Sequence, residues 1–300
     1  MYTKLLIPLD GSKTAEQVLP FARILAGTLK LPVELLDVID ISAMSAHIVS
    51  DKARYLDTLI TEGERVSREY LDEIAAGLSG VRVTSTVARG SAADAIIEHA
   101  ATGKGTLIAM ATHGRSGLSR WMLGSVAEKV LRGSHNPLFL VRAHEGGATD
   151  GAAVIKSIVV PLDGSELAES VLPTAMEVAK TLDLEVVLCR AYELAASVYR
   201  GSEDYLPNYD EMLAQVKAEA ESYLAEKAAA LKAAGLSRVS SVALAGSGAE
   251  EIIRYAQTHR DALVVMCTHG RSGISRWVLG SVTERVVRHS DVPVLVLHGS

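Results

Sequence analysis

Apolar positions along this chain follow two rhythms that alternate. Short runs at Lys4–Leu9, Val33–Val38, Thr106–Ala111 and Pro137–Val141 are nearly continuous in apolar residues and have strand length. Val81–Ala88 alternates like a strand. Between them the period lengthens: Val18, Leu19, Phe21, Ala22, Leu25 and Leu29 recur at three and four residues, the spacing of one helix face. Asp51–Leu78 predicts a long helix with Leu56, Leu59, Ile60, Val66, Tyr70, Leu71 and Ile74 on one side, and Ala92–Ala100 and Val126–Arg132 predict shorter ones. Strands that alternate with helices must run parallel and be joined by right-handed crossovers. Apolar runs without alternation belong to strands covered by helices on both faces. The pattern predicts an α/β doubly wound domain around a five-stranded parallel sheet.

The same order then repeats. Strands are predicted near Ser157–Leu162, Glu185–Ala191, Arg238–Ala245, Ala262–Cys267 and Pro293–Leu297. Residues Thr112–Val126 (THGRSGLSRWMLGSV) return as Thr268–Val282 (THGRSGISRWVLGSV), and LLIPLDGS returns as IVVPLDGS, at an offset of roughly 150 residues, one ordinary domain. The reading is two tandem copies, residues 1–143 and 155–300. The segment 144–154 between them is rich in Gly and Ala, has little to bury and reads as a linker. The last strand of each copy is an apolar edge that needs cover.

Composition narrows the class. Hydrophobic residues make up 48% of the chain and aromatics 4%, so the cores are aliphatic. A net charge of −6 argues against a nucleic-acid surface. No apolar stretch approaches the ~18 residues of a membrane span, and the first apolar run is too short for a signal peptide. Cys189 and Cys267, far apart in sequence, support neither a disulfide framework nor a zinc site and fit a reducing cytoplasm.

The candidate chemistry lies in the repeated segments. After the fourth strand comes Thr112-His113-Gly114, then nine residues, then Gly124-Ser125. Ser125-x-x-Glu128 and Ser281-x-x-Glu284 have the form of a capping box at a helix start. Such a start offers N–H groups and partial positive charge suited to phosphate oxygens, with Arg115, Arg120, Arg271 and Arg276 able to add charge. A capping box also needs no ligand. Asp10 and Asp163 end the first strand of each copy; each can accept bonds from a ribose or simply from its own turn. Neither GxGxxG nor GxxxxGK[ST] is present. His113 and His269 lack a nucleophile or second ligand at useful spacing, so they read as structural or ligand-contacting rather than catalytic. Trp121 and Trp277 read as loop cover, and the two cysteines as small core residues. Tyr192, Tyr199, Tyr205 and Tyr209 set the second copy apart from the first, so the two sites need not be equivalent.

The PxDGS start, the THG turn and the Gly-Ser nine residues later resemble the universal stress protein family, over nearly the whole chain and as a tandem of two domains. The resemblance implies a Rossmann-like fold of the adenine nucleotide alpha hydrolase type. ATP-binding members carry G-x2-G-x9-G-[ST]. Here Gly114 and Gly270 match its second glycine, Gly124 and Gly280 its third, and Ser125 and Ser281 its end, whereas Ala111 and Cys267 replace the first glycine. By the same resemblance, Asp10 and Asp163 would lie near the adenosine, Val38 and Ala191 would offer backbone groups to the adenine, and Met110 and Met266 would line an apolar pocket. From the residues alone, the two methionines read as plain core. Gly114, Gly124, Ser125 and Val126, with Gly270, Gly280, Ser281 and Val282, would wrap the phosphates, through which any Mg would be held. Pro8, His113 and Arg115, with Pro161, His269 and Arg271, complete the expected sites.

The expected function is a stress-response regulator that binds ATP or another adenine nucleotide with little or no hydrolysis. No positioned general base, Walker-type Lys or acidic metal cluster is evident. The missing first glycine leaves open a nucleotide-free, structural or partner-binding member. An adenylate-forming or amide-transferring enzyme on a similar sheet would need a catalytic constellation outside the repeats, and none is evident in the sequence. The resemblance also implies pairing of the two domains through their last strands, and a homodimer.

Overall fold

The computed structural model describes residues 2–40, 56–113, 123–144, 146–194, 209–268 and 279–298. In the first copy the strands are β1 (Lys4–Pro8), β2 (Val33–Ile39), β3 (Val83–Arg89), β4 (Thr106–Ala111) and β5 (Leu138–Val141). The helices are α1 (Lys13–Glu16), α2 (Leu19–Leu29), α3 (Leu56–Ala76), α4 (Ala92–Ala101) and α5 (Ser125–Gly133). The strands pair parallel in the order β3-β2-β1-β4-β5. The second copy has β6 (Ser157–Pro161), β7 (Glu185–Tyr192), β8 (Val239–Ala245), β9 (Ala262–Cys267) and β10 (Val294–Leu297). Its helices are α6 (Glu166–Glu169), α7 (Leu172–Leu182), α8 (Tyr209–Ala233), α9 (Gly248–Thr258) and α10 (Ser281–His289). Its sheet is again parallel, in the order β10-β9-β6-β7-β8. The chain divides into two units, Met1–Val154 and Ile155–Ser300.

Burial follows the two rhythms. Leu5, Leu6 and Ile7 of β1 and Ile108 and Ala109 of β4 are fully buried, as central parallel strands require. The outer strand β3 is half-exposed, consistent with its alternating sequence. On α3 the buried stripe is narrower than the sequence suggests: Ile60 and Leu71 are buried, but Leu59 is 47% and Val66 52% exposed. Those two lie off the inward face, so apolar type alone misplaces them. The predicted first turn, 51–55, lies outside the described residues. His144, which opens the linker, is held against the first unit: Gln17 Nε2 donates to its carbonyl at 2.7 Å and its N–H donates to Gln17 Oε1 at 2.9 Å.

At the start of β1 and β2, Glu34 gathers a lysine and a histidine. Lys4 Nζ lies 2.6 Å from Oε2 and His99 Nδ1 lies 2.9 Å from Oε1. Burial alone would raise the Glu34 carboxyl, but the hydrogen bonds from Lys4 and His99 hold it below its ordinary value. A lowered folded pKa contributes stability that is present at neutral pH and fades as pH falls through it. Glu34→Gln is therefore expected to cost about 1–2 kcal/mol at pH 7 and progressively less below the ordinary carboxylate range. Urea unfolding at several pH values checks this; a gap that stays constant with pH would contradict it.

Candidate functional site

In each unit the strand order reverses beside the first strand: β2 flanks β1 on one side and β4 on the other, and β7 and β9 flank β6. Doubly wound sheets place ligands in the crevice outside the strand C-termini at this point. A cavity of about 190 Å³ opens there in the first unit and one of about 440 Å³ in the second.

The turn after the first strand forms one wall. Gly11 and Gly164 take φ values of 76° and 87°, which glycine adopts without strain. The turn is locked by the preceding aspartate: Asp10 Oδ1 accepts from the Ser12 N–H at 3.0 Å and from its hydroxyl at 2.6 Å, and Asp163 repeats both bonds with Ser165 at the same distances. The serine then caps the next helix, its Oγ accepting from the Ala15 or Ala168 N–H at 3.1 Å. Both aspartates thus bond their own turns while also lining the cavities.

The opposite wall is the start of α5 or α10, where the structure corrects the capping-box expectation. The N-cap is Gly124, not Ser125, and Gly280, not Ser281. Each glycine N–H is tied to the end of the preceding strand, Gly124 to the Thr112 carbonyl at 2.9 Å and Gly280 to the Thr268 carbonyl at 2.7 Å. This anchor starts the helix one residue earlier than a serine cap would. Ser125 and Ser281 therefore sit exposed in the first turn, where backbone N–H groups have no intrahelical partner. Close approach explains the glycine: a Cβ on Gly124 would lie 2.8 Å from the Thr112 carbonyl oxygen. In the second unit, Thr283 Oγ1 also donates to the buried Cys267 carbonyl at 2.8 Å, a tie that Ala127 cannot make.

Pro8, Asp10, Val38, Met110, Ala111, His113, Gly124, Ser125 and Val126 all line the first cavity. Pro161, Asp163, Ala191, Met266, Cys267, Gly280, Ser281 and Val282 line the second. Met110 and Met266, both nearly buried, serve core and cavity wall at once. Ala111 and Cys267, in place of the motif's first glycine, are buried at the strand ends, and the cavities stay open beside them. His113 Nδ1 lies 3.0 Å from Thr112 Oγ1. Gly114, Arg115, Arg120, Trp121, Tyr199, Tyr205, His269, Gly270, Arg271, Arg276 and Trp277 lie outside the described residues. Among the described residues no group of His, Cys, Asp and Glu could hold a metal ion, and no helix is long and apolar enough to cross a membrane.

Sequence reading missed the most polar part of the floor. Asp37, only 7% exposed, lines the first cavity, and Arg190 stands at the same register position in the second. A charge inside an otherwise apolar parallel strand was the available signal. Cys189 and Cys267 also line the second cavity; burial pushes the Cys189 thiol up to about 12.

A tandem pair of doubly wound domains, each with a cavity at its switch point and a glycine-anchored helix start on the rim, defines the class of this protein. The universal stress protein family matches residues 1–142 and 155–298, and the chain belongs to that family. Universal stress protein MJ0531 of Methanocaldococcus jannaschii is 31% identical over 148 residues, covering 49% of this chain and 85% of that protein. Universal stress protein Rv2005c of Mycobacterium tuberculosis is 27% identical over 195 residues, covering 65% of this chain and 62% of its own length. A solved universal stress protein from Archaeoglobus fulgidus superposes over 98% of both chains with a TM-score of 0.71 at 22% identity, a likeness of fold.

Proposed function

We propose that this protein is a cytoplasmic regulator that binds ATP or a related adenine nucleotide at the strand C-termini and turns it over slowly or not at all. The observation that carries this reading is the cavity of about 440 Å³ in the second unit, within the roughly 300–1,000 Å³ range of small-molecule sites. Its apolar lining, with Ala191 and Met266, suits a flat heterocycle. The helix start at Gly280-Ser281 presents N–H groups suited to phosphate oxygens. Any Mg would arrive with the nucleotide, held by its phosphates. Slow turnover fits the lining: Asp163 accepts from the Ser165 hydroxyl that caps the next helix, so its carboxylate serves the turn rather than a nucleophile for phosphoryl transfer.

Titration calorimetry with Mg-ATP, and mass analysis of small molecules carried through purification, test this directly. Cys267 adds an internal reporter: both cysteines are buried on the cavity wall, but Cys189 is fully enclosed and its thiol pKa is raised, whereas Cys267 keeps a small exposed surface. Saturating ATP is expected to slow alkylation of Cys267 about tenfold or more by covering it, with Cys189 unreactive throughout. No binding heat together with unchanged Cys267 labelling would refute the proposal.

A further inference from the structure

We infer that Thr283 is a positioning residue of the second site: its hydroxyl clasps the first turn of α10 to the end of β9, so that the backbone N–H groups beside Ser281 are fixed in place before an anion arrives. This rests on the nucleotide reading above and adds which side chain steadies the phosphate end of the site.

The need arises from the cap. Gly280 is the N-cap of α10 and has no side chain with which to hold its own helix. Such a start stays ordered only where groups outside the helix tie it. Two ties do so here. The Gly280 N–H donates to the Thr268 carbonyl at 2.7 Å, and three residues on, the Thr283 hydroxyl donates to the Cys267 carbonyl at 2.8 Å. The acceptors are consecutive carbonyls at the end of β9, and the donors bracket the first turn of α10. A turn held at both ends cannot swing about a single bond. Threonine suits the second tie. Its β-branched side chain has few χ1 choices in a helix, and at 3% exposure it has little room to leave its acceptor.

Ser281 and Val282 lie between the two ties. Both are exposed, and both line the cavity together with Gly280 and Thr283. Their N–H groups belong to the first helical turn, which has no intrahelical acceptor for them. Donors that are ordered before binding cost no ordering when the ligand arrives, and the gain goes to the part of the ligand that meets them. For a nucleotide that part is the phosphate chain, drawn to a helix start. The ribose and base lie deeper, toward Asp163, Ala191 and Met266 in the proposed pose, and do not meet these donors. In the first unit Gly124 repeats the first tie, to the Thr112 carbonyl at 2.9 Å. Ala127 stands in the place of Thr283 there; it is buried on the cavity wall and has no hydroxyl, so the second tie cannot form.

The test is calorimetry with Mg-ATP and, separately, adenosine, on the full chain carrying Val38→Trp to fill the first cavity. Thr283→Val keeps the side chain's shape and removes the hydroxyl. It is expected to weaken ATP about tenfold while leaving adenosine within about twofold, since only the phosphates reach the start of α10. Thr283→Ser returns the hydroxyl and is expected to bring ATP affinity back to within about threefold of the Thr283 parent. Without ligand, hydrogen exchange at the Gly280 amide is expected to quicken about fivefold or more in Thr283→Val and to recover in Thr283→Ser. Adenosine binding shows that the variants are folded. An equal loss of ATP and adenosine would mark Thr283 as structural only and overturn the inference. ATP binding unchanged by Thr283→Val, or no recovery in Thr283→Ser, would overturn it too, as would loss of all ATP binding on Val38→Trp alone. Each of these leaves the nucleotide reading intact. Absence of ATP binding by the unaltered chain would overturn both.

Discussion

Gly124→Val is expected to destabilise the first unit by about 3 kcal/mol, a fall of roughly 10 °C in its melting temperature, and to disturb the rim of its cavity. Backbone conformation is not the cause. Gly124 has φ −59° and ψ 145°, which any residue can adopt. Space is the cause: even a Cβ would meet the Thr112 carbonyl oxygen at 2.8 Å. That oxygen cannot withdraw freely, because it accepts the Gly124 N–H at 2.9 Å and this bond anchors α5 to the end of β4. Backbone must therefore shift, and a buried donor or acceptor loses its partner. Gly27 supplies the contrast. It lies within α2, and a methyl group added there would have no neighbouring atom within 4 Å, so Gly27→Ala is expected to stabilise by about 0.5–1 kcal/mol. Thermal unfolding of both variants checks the pair. Equal melting of Gly124→Val and the unaltered chain would mean the helix start moves at little cost and does not fix the cavity wall.

That pair also shows how far the sequence can be read. The tandem repeat and the alternation of strands and helices are legible because each rests on a local signal: apolar runs at Leu5–Ile7, turn residues at Asp10-Gly11-Ser12, paired glycines after the fourth strand. The helix cap falls one residue from its expected place because Ser-x-x-Glu is a local pattern, whereas Gly124 is anchored by a bond to Thr112, beyond the reach of any such pattern. Residue type places Leu59 and Val66 inward, but the phase of α3 is set by packing around Leu71, which is fully buried. Asp37 is visible in the sequence as an interruption of an apolar strand. Its place on the cavity wall emerges only in the folded sheet, where the register of β2 against β1 carries it to the strand end.

Ala191→Trp carries the largest expected effect on binding. Ala191 is at the C-terminal end of β7, half-buried, on the wall of the 440 Å³ cavity. An indole there occupies the space that the proposed site gives to the adenine ring, and ATP affinity is expected to fall at least about a hundredfold, close to 3 kcal/mol. The side chain enters an open cavity rather than a packed core, so folding stability should change by no more than about 1 kcal/mol, which separates a blocked site from a broken domain. Val38 is the equivalent residue of the first unit. If only the C-terminal copy takes nucleotide, Val38→Trp leaves ATP binding untouched; if both do, it removes half of the sites. Calorimetry on the two variants, with melting curves alongside, therefore reads both occupancy and location. Undiminished ATP binding by Ala191→Trp would place any nucleotide outside the second unit's switch-point crevice, because no adenine ring and indole can share that volume.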